Sequence, residues 1–521
     1  MGALAAGIAA GVSLVAGGSA TRLAGVIYRL QRAGDDAPAA PDGGPTTVFV
    51  KAAATHQTWD GVGANVHSSF IGNRDTLGDD ARARAADLLF RTIGVRVGKL
   101  DGQLLESPGS YEQRRNDNED PFVLSWQGVQ TAALDHVRSG VLDLPEARVF
   151  DTFQIGQMIN TRWASPWLAQ LRGRDYERYL NEAAEQLAAV CQYWRGLDRP
   201  LPALWQLFNE PRSGNREVAG GSTRDLVDLV KRSGERLERE GCASVRFVVA
   251  SEETEEMSYE SAAAILEDPG ARRYVGAIGY HTYPYGSVYS RISRILATAG
   301  VGRPDSGRVE QRRRLRELAR RYGVRTWMTE VSHGGVDARS YEGFRGRAIH
   351  IHDEIEFADA SAYFGMNTIW DLTTHEDHFH TRNRFYESEG DLLLYDNERD
   401  QMIVTGLGYA MGHYGRWIPR GAVRIDATPG DPLLLVSAFR VDATQQLVLV
   451  LINNAGTMRP ATVSVEGLDV DGVVTGEQST SARYWAPLTP SPVAGPSRFQ
   501  VILPALSVTT VVVPARPAPR R

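Results

Sequence analysis

Short apolar runs alternate with longer amphipathic segments from about residue 59 to residue 418. This alternation is typical of β-strands that are joined by crossover helices. Eight of the apolar runs have the length of a strand, and they cover residues 61–66, 94–98, 148–153, 204–209, 245–250, 277–281, 325–329 and 367–370. Eight such units in succession predict a TIM barrel, in which the functional groups lie at the carboxyl ends of the strands because the following loops converge there.

Two of the segments between these runs have a clear helical period. In residues 176–194, apolar side chains recur at the i, i+3, i+4 and i+7 positions of one helix face. Residues 223–240 follow Ser222 and open on Thr223, and either hydroxyl is a suitable N-terminal cap. We therefore predict a helix over each segment.

After residue 418 the hydrophobic period changes to two, which is typical of half-buried strands. Candidate strands cover residues 423–425, 433–437, 447–451, 463–465, 499–502 and 508–513. Turn-forming sequences separate them, such as Asn-Asn-Ala-Gly at residues 453–456 and Asp-Gly at residues 471–472. This pattern predicts a β-sandwich of about a hundred residues.

These patterns together predict an α/β fold, a (β/α)8 TIM barrel with an appended C-terminal all-β sandwich. We expect residues 46–418 to form the catalytic barrel and residues 419–514 to form the sandwich. Residues 1–45 are expected to be a signal-like or anchor-like segment with a flexible linker, and residues 515–521 a tail. The strand at residues 47–50 is expected to join the sandwich.

Charge and cysteine content exclude several classes of protein. The 521 residues include 57 basic and 63 acidic side chains, which give a formal net charge of −6. No extended basic surface is then available to neutralise a phosphate backbone, so nucleic acid is not an expected partner. The two cysteines, Cys191 and Cys242, both fall in segments predicted to be regular structure. We therefore expect neither a disulfide framework nor a thiolate metal site.

The N-terminal segment bears on localisation. Residues 3–18 are small or apolar and lead into Ser19 and Ala20, a pattern that resembles the apolar core and cleavage site of a signal peptide. The alternatives are a retained anchor, in which the apolar stretch resumes at residues 23–30, and a mis-assigned start or disordered tail. We expect a secreted or cell-surface protein, with membrane contact only if this segment is retained as an anchor.

Two glutamates stand at the ends of predicted barrel strands. Glu210 follows the fourth strand, between Asn209 and Pro211, and Glu330 ends the seventh strand. The barrel topology delivers both side chains to the same mouth from different sides. Glycoside cleavage requires such a pair, because one carboxyl group protonates the leaving oxygen while the other attacks or stabilises the anomeric carbon.

On these residues the chain resembles the clan A glycoside hydrolases, and family 30 in particular. The motifs that carry the resemblance are WQLFNEP at residues 205–211, RTWMTE at 325–330, GYHTY at 279–283, IWDL at 369–372 and GVRV at 94–97. Residues 406–425 also look like the passage that leads from the last barrel helix of that family into its sandwich. The resemblance spans about residues 47–513, and the two glutamate motifs are specific to the clan rather than to one substrate.

The resemblance implies a role for each matching residue. Glu210 is implied as the general acid/base and Glu330 as the nucleophile of a retaining, double-displacement hydrolysis. Asn209 is implied to bind the sugar 2-hydroxyl, a contact that strengthens in the transition state. The implied supporting residues are His281 and Tyr283, which orient the glutamates, Arg96, which holds Glu330 ionised, and Trp370, which forms the apolar platform under the sugar.

Other polar groups near the strand ends have simpler interpretations. Residues 252–256, after the fifth strand, contain four glutamates, which indicate a solvated loop. Residues 375–380 are rich in histidine and carboxylates, and we interpret them as a substrate-binding loop rather than a metal site. Trp163 and Trp167 lie in a loop that departs from the family spacing, so we consider them only as candidates for sugar stacking.

The sequence therefore predicts a retaining glycoside hydrolase that cleaves β-glycosidic bonds of a polysaccharide or glycoconjugate. We expect neither a cofactor nor a metal ion, since two carboxylates carry this chemistry. A clan A glycosidase of another family, such as family 5 or 39, and a non-catalytic carbohydrate-binding protein on the same scaffold are the alternatives. Family 30 includes enzymes for xylan, β-1,6-linked glucans and galactans, and glucosylceramide, and the sequence does not choose among them.

Overall fold

A computed structural model describes most of the barrel and the sandwich. The described residues are 45–65, 77–100, 152–155, 166–196, 201, 203–207, 209–212, 222–282, 306–331, 339–371, 391–470, 472–489, 491–492, 495 and 497–517. The predictions for residues 1–44, Trp163, Tyr283 and residues 375–380 therefore lie outside the described residues.

Nine α-helices are described, and we number them in chain order. They are α1 (Asp79–Ala86), α2 (Pro166–Arg174), α3 (Tyr176–Arg195), α4 (Thr223–Arg239), α5 (Glu255–Glu267), α6 (Pro269–Arg272), α7 (Ser306–Tyr322), α8 (Tyr341–Phe357) and α9 (Gly406–Gly415). A π-helical segment, Asp87–Ile93, continues α1. No helix within these described ranges is long and apolar enough to cross a membrane.

Helices α3 and α4 confirm the two helical predictions. Their bounds agree with the periodic segments to within one residue. Ser222 caps α4 in a capping box, because its hydroxyl accepts from the Asp225 backbone while the Asp225 carboxylate accepts from the Ser222 backbone. This reciprocal pair satisfies two donors at the helix N-terminus.

The strands follow the same chain order. They are β1 (Thr46–Thr58), β2 (Gly61–Asn65), β3 (Val97–Leu100), β4 (Thr152–Ile155), β5 (Leu204–Gln206), β6 (Arg246–Glu252), β7 (Val275–His281), β8 (Arg325–Glu330), β9 (Ala360–Asp371), β10 (Asp391–Asp396), β11 (Gln401–Val404), β12 (Val423–Pro429), β13 (Leu434–Val441), β14 (Gln446–Asn453), β15 (Arg459–Glu466), β16 (Leu468–Val470), β17 (Val473–Thr480), β18 (Arg483–Pro487), β19 (Ser491–Pro492), β20 (Arg498–Leu503) and β21 (Ser507–Pro517).

Strands β2 to β9 form the barrel, and they correspond to the eight predicted strands. Their order is β4-β3-β2-β9-β8-β7-β6-β5, and each ladder between neighbours is parallel. β4 and β5, at the two ends of this order, lie in contact. A cluster of strand residues fills the interior: Val97, Leu204, Val248, Ala277, Trp327, Ala362 and Phe364. The prediction of a TIM barrel is confirmed.

Most strand boundaries differ from the prediction by a few residues, and the starts of β3 and β9 differ for identifiable reasons. β3 begins at Val97 rather than at residue 94, because the π-helical segment before it ends at Gly94 in a left-handed conformation, with φ of 82°. β9 begins at Ala360, seven residues earlier than predicted. Its first residues are alanine and serine, which have little intrinsic preference for strands, so the apolar pattern did not reveal them.

The C-terminal strands form the predicted all-β domain. Their order is β18-β17-β21-β14-β13-β12-β1-β15-β20. β1 lies within this sheet, antiparallel to β12 and parallel to β15. Residues from the middle and both ends of the order share one core, so the sheet folds over on itself as a sandwich; they include Val48, Leu449, Val463, Phe499 and Val511.

One face of the sandwich packs against the barrel. The ring of Trp59, just before β2, lies 5.9 Å from the ring of Phe439 in β13. His413 in α9 is fully buried and makes hydrogen bonds to the hydroxyls of Thr510 and Ser479, at 2.8 Å each. Apolar and polar contacts thus fix the sandwich to the helix layer of the barrel.

The cysteine prediction was wrong. Cys191 in α3 and Cys242 after α4 form a disulfide, with their Cα atoms 6.2 Å apart. Both side chains are fully buried. The two residues are 51 positions apart in the sequence, and only the packing of α3 against α4 brings them together.

Candidate active site

The carboxyl ends of the barrel strands bring four side chains together, of which three were predicted from the sequence and one, Lys99, was not. Glu210 follows β5, His281 ends β7 and Glu330 ends β8. Lys99 lies near the end of β3 and is only 1% exposed. The parallel topology places these ends at one mouth of the barrel, as the position of each residue after its apolar run predicts.

Glu210, His281 and Glu330 form a compact group. One donor atom from each side chain lies within 4.8 Å of one from each of the others. A hydrogen bond of 2.9 Å joins His281 Nδ1 to Glu210 Oε1. His281 is fully buried and Glu210 is 7% exposed, so the strand ends shield both side chains from solvent.

Lys99 supplies the cation beside Glu330. Its Nζ donates to Glu330 Oε2 at 3.0 Å and to Asn209 Oδ1 at 3.3 Å. Asn209 is 5% exposed and also accepts a long hydrogen bond of 3.5 Å from Gln206 Nε2. The ammonium therefore ties together Glu330 and Asn209, the two residues expected to touch the cleaved sugar.

Arg96, predicted to hold Glu330 ionised, immediately precedes β3. Its Nη1 donates to the carbonyl oxygens of Phe90, at 2.7 Å, and Val95, at 3.2 Å. Side chains alternate along a strand, and Val97 points into the barrel interior. Lys99, two residues on, shares that face, whereas Arg96 has the opposite parity. In the described contacts the cation beside Glu330 is Lys99. The role implied for Arg96 stays a prediction.

The backbone around Glu210 has an unusual conformation. Glu210 has a φ of 45°, and Ala250 and Ser251 in β6 have φ of 69° and 51°. These left-handed values cost on the order of 1–3 kcal/mol for a residue with a side chain. The Glu210 backbone N–H donates to Ser251 O at 2.8 Å, and the register of β6 against β7 shifts between Ala250 and Glu252. A β-bulge in β6 thus meets the segment that carries Glu210.

The acidic residues after β6 are not the solvated loop that the sequence predicts. Glu252 and Glu255 are buried, Glu253 is half-buried and Glu256 is exposed. Burial raises the pKa of Glu252 to about 7, although hydrogen bonds from Ser261 and the Arg212 backbone favour the charged form. Burial, and then the charge of Glu210, raises the pKa of Glu253.

Glu255 belongs to an ion cluster between helices. Arg308 and Arg312 lie 3.7 and 3.8 Å from its carboxylate oxygens. Arg312 also pairs with Glu354 at 2.6 Å. The cluster joins helices α5, α7 and α8. These carboxylates lie inside the fold because tertiary packing supplies their partners, and no local sequence pattern reveals such partners.

Some predicted site residues are not placed. Trp370 lies in β9, but its side chain is outside the described part of the chain, as are Tyr283 and the side chain of Trp167. The predicted contacts of these aromatic residues with sugar stay predictions.

The group at the mouth suits acid–base chemistry. Two carboxylates and an imidazole are also donors that a metal ion takes, and among the described residues this is the one group close enough to share an ion. Lys99 already supplies a positive charge to Glu330, however. Paired carboxylates with a hydrogen-bonded histidine and a buried cation can donate a proton and attack an electrophilic carbon.

The sequence comparisons give distant relatives. No family model matches the chain. The glucuronoxylanase XynC of Bacillus subtilis is 25% identical over 289 residues, which cover 53% of this chain and 55% of that protein. The chain thus matches about half the length of its curated relatives.

Solved structures match over most of the chain. The catalytic domain of GH30 xylanase C from Talaromyces cellulolyticus gives a TM-score of 0.62 at 17% identity, covering 90% of this chain and 99% of that chain. A GH30 endoxylanase from Clostridium papyrosolvens gives 0.60 at 16% identity, covering 90% and 100%. The resemblance to glycoside hydrolase family 30 that the sequence motifs carry is thereby confirmed for the fold, a (β/α)8 barrel with an appended β-sandwich.

Proposed function

We propose that this chain is a retaining glycoside hydrolase that cleaves β-glycosidic bonds of a polysaccharide. The observation that carries the proposal is the approach of Glu210 and Glu330, which have carboxylate oxygens within 4.8 Å of each other at the mouth of the barrel. Each carboxylate has a different partner, since His281 bonds Glu210 and Lys99 bonds Glu330. Different environments for two carboxylates are what separates an acid from a nucleophile.

Each side chain then has one role in the reaction. Glu330, paired with Lys99, attacks the anomeric carbon, and the bond to the leaving oxygen breaks as Glu210 donates its proton to that oxygen. A glycosyl ester of Glu330 results. Glu210 next removes a proton from water, which attacks the anomeric carbon and releases Glu330. Asn209, held by Lys99, accepts or donates a hydrogen bond at the sugar 2-hydroxyl.

The short separation of the carboxylates supports the retaining course. Retaining enzymes hold their carboxyl groups about 5–5.5 Å apart, whereas inverting enzymes leave about 6.5–9.5 Å for a water molecule. One oxygen of Glu210 and one oxygen of Glu330 lie within 4.8 Å of each other. This contact leaves little room for a water molecule between the two groups, which supports direct attack by Glu330.

The substrate class that we propose is xylan. The relative in Bacillus subtilis is named a glucuronoxylanase, and the two solved structures are a xylanase and an endoxylanase. We therefore take a β-1,4-linked xylan, with and without glucuronic acid side groups, as the first substrate to test.

We further propose that the protein is exported. The disulfide between Cys191 and Cys242 supports this, because disulfides persist in oxidising compartments outside the cytosol. The apolar run at residues 3–18 supports it independently. Fractionation of the expressed protein tests the proposal, and recovery of all the protein in a reducing cytosol would contradict it.

The test of the activity is a panel of β-linked polysaccharides and aryl β-glycosides, with xylan and glucuronoxylan first. We expect wild-type turnover that collapses in Glu210→Ala and in Glu330→Ala but persists in Glu256→Ala, which removes an exposed carboxylate from the first turn of α5. Azide should restore turnover to Glu330→Ala with an α-configured product, and NMR of the first wild-type product should show retained configuration. A silent wild type that still binds one glycan would identify a non-catalytic carbohydrate-binding protein instead.

A further inference from the structure

Glu252 is a buried carboxylate directly behind the segment that carries Glu210. It is the last residue of β6 and is fully buried. Its Oε2 accepts from the backbone N–H of Arg212 at 2.9 Å, and its Oε1 accepts from the hydroxyl of Ser261 at 2.6 Å. Arg212 stands two residues after Glu210, so one oxygen of Glu252 grips the chain next to the acid/base residue.

The bulge in β6 holds this segment at two points. Ser251 O accepts from the Glu210 backbone N–H at 2.8 Å, and the next residue, Glu252, accepts from the Arg212 N–H. Pro211 lies between the two bonds. Glu210 itself has a φ of 45°, and a residue in such a conformation keeps it only where the surrounding structure fixes it. The two hydrogen bonds from β6 provide this constraint.

The side chain of Arg212 completes the arrangement on α5. Its Nη1 donates to the hydroxyl of Ser261 at 3.3 Å, and its Nη2 pairs with Glu260 at 2.8 Å. Glu252 is anchored in turn, since its backbone N–H donates to the Ser258 hydroxyl at 3.1 Å.

We propose that Glu252 is a positioning residue that holds the acid/base Glu210 in its left-handed conformation through the Arg212 backbone. The inference rests on the proposed function. A buried carboxylate costs stability unless each oxygen has a donor, and an apolar side chain would fill the same space without that cost. Here one donor comes from the segment that carries Glu210 and the other from Ser261, a residue that also binds Arg212.

The first test does not need a substrate. We compare hydrogen exchange of the backbone amides in residues 209–212 between the wild type, Glu252→Met and Glu260→Gln. Methionine has a similar volume but no acceptor for the Arg212 amide, so we expect faster exchange of these amides in Glu252→Met. Glu260→Gln removes only the ion pair to the Arg212 side chain and should leave their exchange unchanged. Unchanged exchange in Glu252→Met would overturn the proposal.

The second test isolates acid catalysis. Phenyl and 2,4-dinitrophenyl β-xylobiosides, or the corresponding glycosides of the sugar that the wild type hydrolyses, differ in their need for a proton on the leaving oxygen. We expect Glu252→Met to lower kcat/KM about ten- to a hundredfold on the phenyl glycoside. The loss on the dinitrophenyl glycoside should be about threefold or less, since its leaving group needs little protonation. KM should change little.

If Glu252 had a purely structural role, Glu252→Met would lower kcat/KM equally on the phenyl and the dinitrophenyl glycoside. That result would overturn the proposal. Glu252→Gln keeps one acceptor oxygen for the Arg212 amide, so it should recover most of the activity on the phenyl glycoside. If Glu252→Met does not fold, Ser261→Ala serves as the test variant, because it removes the hydroxyl that binds both Glu252 and Arg212, and the same selective loss on the phenyl glycoside is expected. A wild type that hydrolyses neither glycoside contradicts the proposed function, and the exchange measurement then decides the role of Glu252 by itself.

Discussion

Lys99 Nζ lies 3.0 Å from Glu330 Oε2, and the lysine side chain is almost completely buried. The same nitrogen donates to Asn209 Oδ1 at 3.3 Å. A buried ammonium is tolerated only where anionic or polar partners surround it. Lys99 therefore depends on the two residues at the cleaved sugar as much as they depend on it.

The first prediction is that Lys99→Met lowers kcat/KM on the active substrate about a hundredfold or more. Removing one partner of a buried ion pair leaves the other charge uncompensated, at a cost of about 3–5 kcal/mol. The uncompensated charge is that of Glu330, the proposed nucleophile. Steady-state kinetics measure the loss, and circular dichroism checks that the variant is folded.

Arg96→Met is the matched control for this prediction. Arg96 is a second basic residue close to β3, and it donates to the Phe90 and Val95 carbonyls. We expect it to lose less activity than Lys99→Met at equal expression. A larger loss in Arg96→Met would favour Arg96 as the cation that acts on Glu330.

The second prediction concerns His281, whose Nδ1 bonds Glu210 Oε1 at 2.9 Å. His281→Phe fills similar space without a polar atom, so Glu210 loses its bonded partner and kcat should fall about ten- to a hundredfold. His281→Gln keeps a polar group near Glu210 and should retain more activity. Equal activity in both variants would show that the imidazole serves only to fill space.

Much of the fold could be predicted because the barrel and the sandwich have different hydrophobic periods. Strands β5 and β8 read as apolar runs with a glutamate at the end, which also located Glu210 and Glu330. Lys99 was missed, although the sequence holds a signal for it. Val97 faces the barrel interior, and residues two apart on a strand share a face. That parity indicates Lys99 as a residue of the interior face of β3.

Other features depend on contacts that no local pattern encodes. The disulfide needs α3 packed against α4, and the burial of Glu252 needs Ser261 from α5 and the Arg212 backbone. The glutamates of residues 252–256 were predicted to be solvated because their hydrogen-bond donors are distant in the sequence. Such burial becomes visible only once the helices are placed on the barrel.

The third prediction is that Cys191→Ala/Cys242→Ala lowers the free energy of unfolding by about 2–4 kcal/mol. The bridge closes a loop of 51 residues and restricts the unfolded chain. Denaturant unfolding of the wild type and the double variant measures the difference. A reductant should decrease the difference in unfolding free energy between the two proteins, because it destabilises only the wild type. An unchanged midpoint in the double variant would mean that α3 and α4 are held by their apolar contacts alone.

The fourth prediction concerns Glu477, a buried residue of β17 at the contact between the sandwich and the barrel. Burial raises its pKa to about 7, although Arg416, whose Nη1 lies 3.3 Å away, favours the charged form. The folded protein then keeps a proton that the unfolded chain releases above pH 4.5. This contribution to stability is complete below pH 4.5 and is lost as the pH rises through about 7.

Glu477→Gln removes this titration while keeping the shape of the side chain. Between pH 5 and pH 8, the melting temperature of the wild type should therefore fall relative to that of Glu477→Gln. The change corresponds to at most about 3 kcal/mol of unfolding free energy. Thermal unfolding at the two pH values measures this change. Glu252 is present in both proteins, so its own titration in the same range cancels. Glu466→Gln, which changes an exposed carboxylate of the same sandwich, should show no such change relative to the wild type. A difference between Glu477→Gln and the wild type that does not vary with pH would mean that Glu477 stays charged when buried, with Arg416 outweighing the effect of burial.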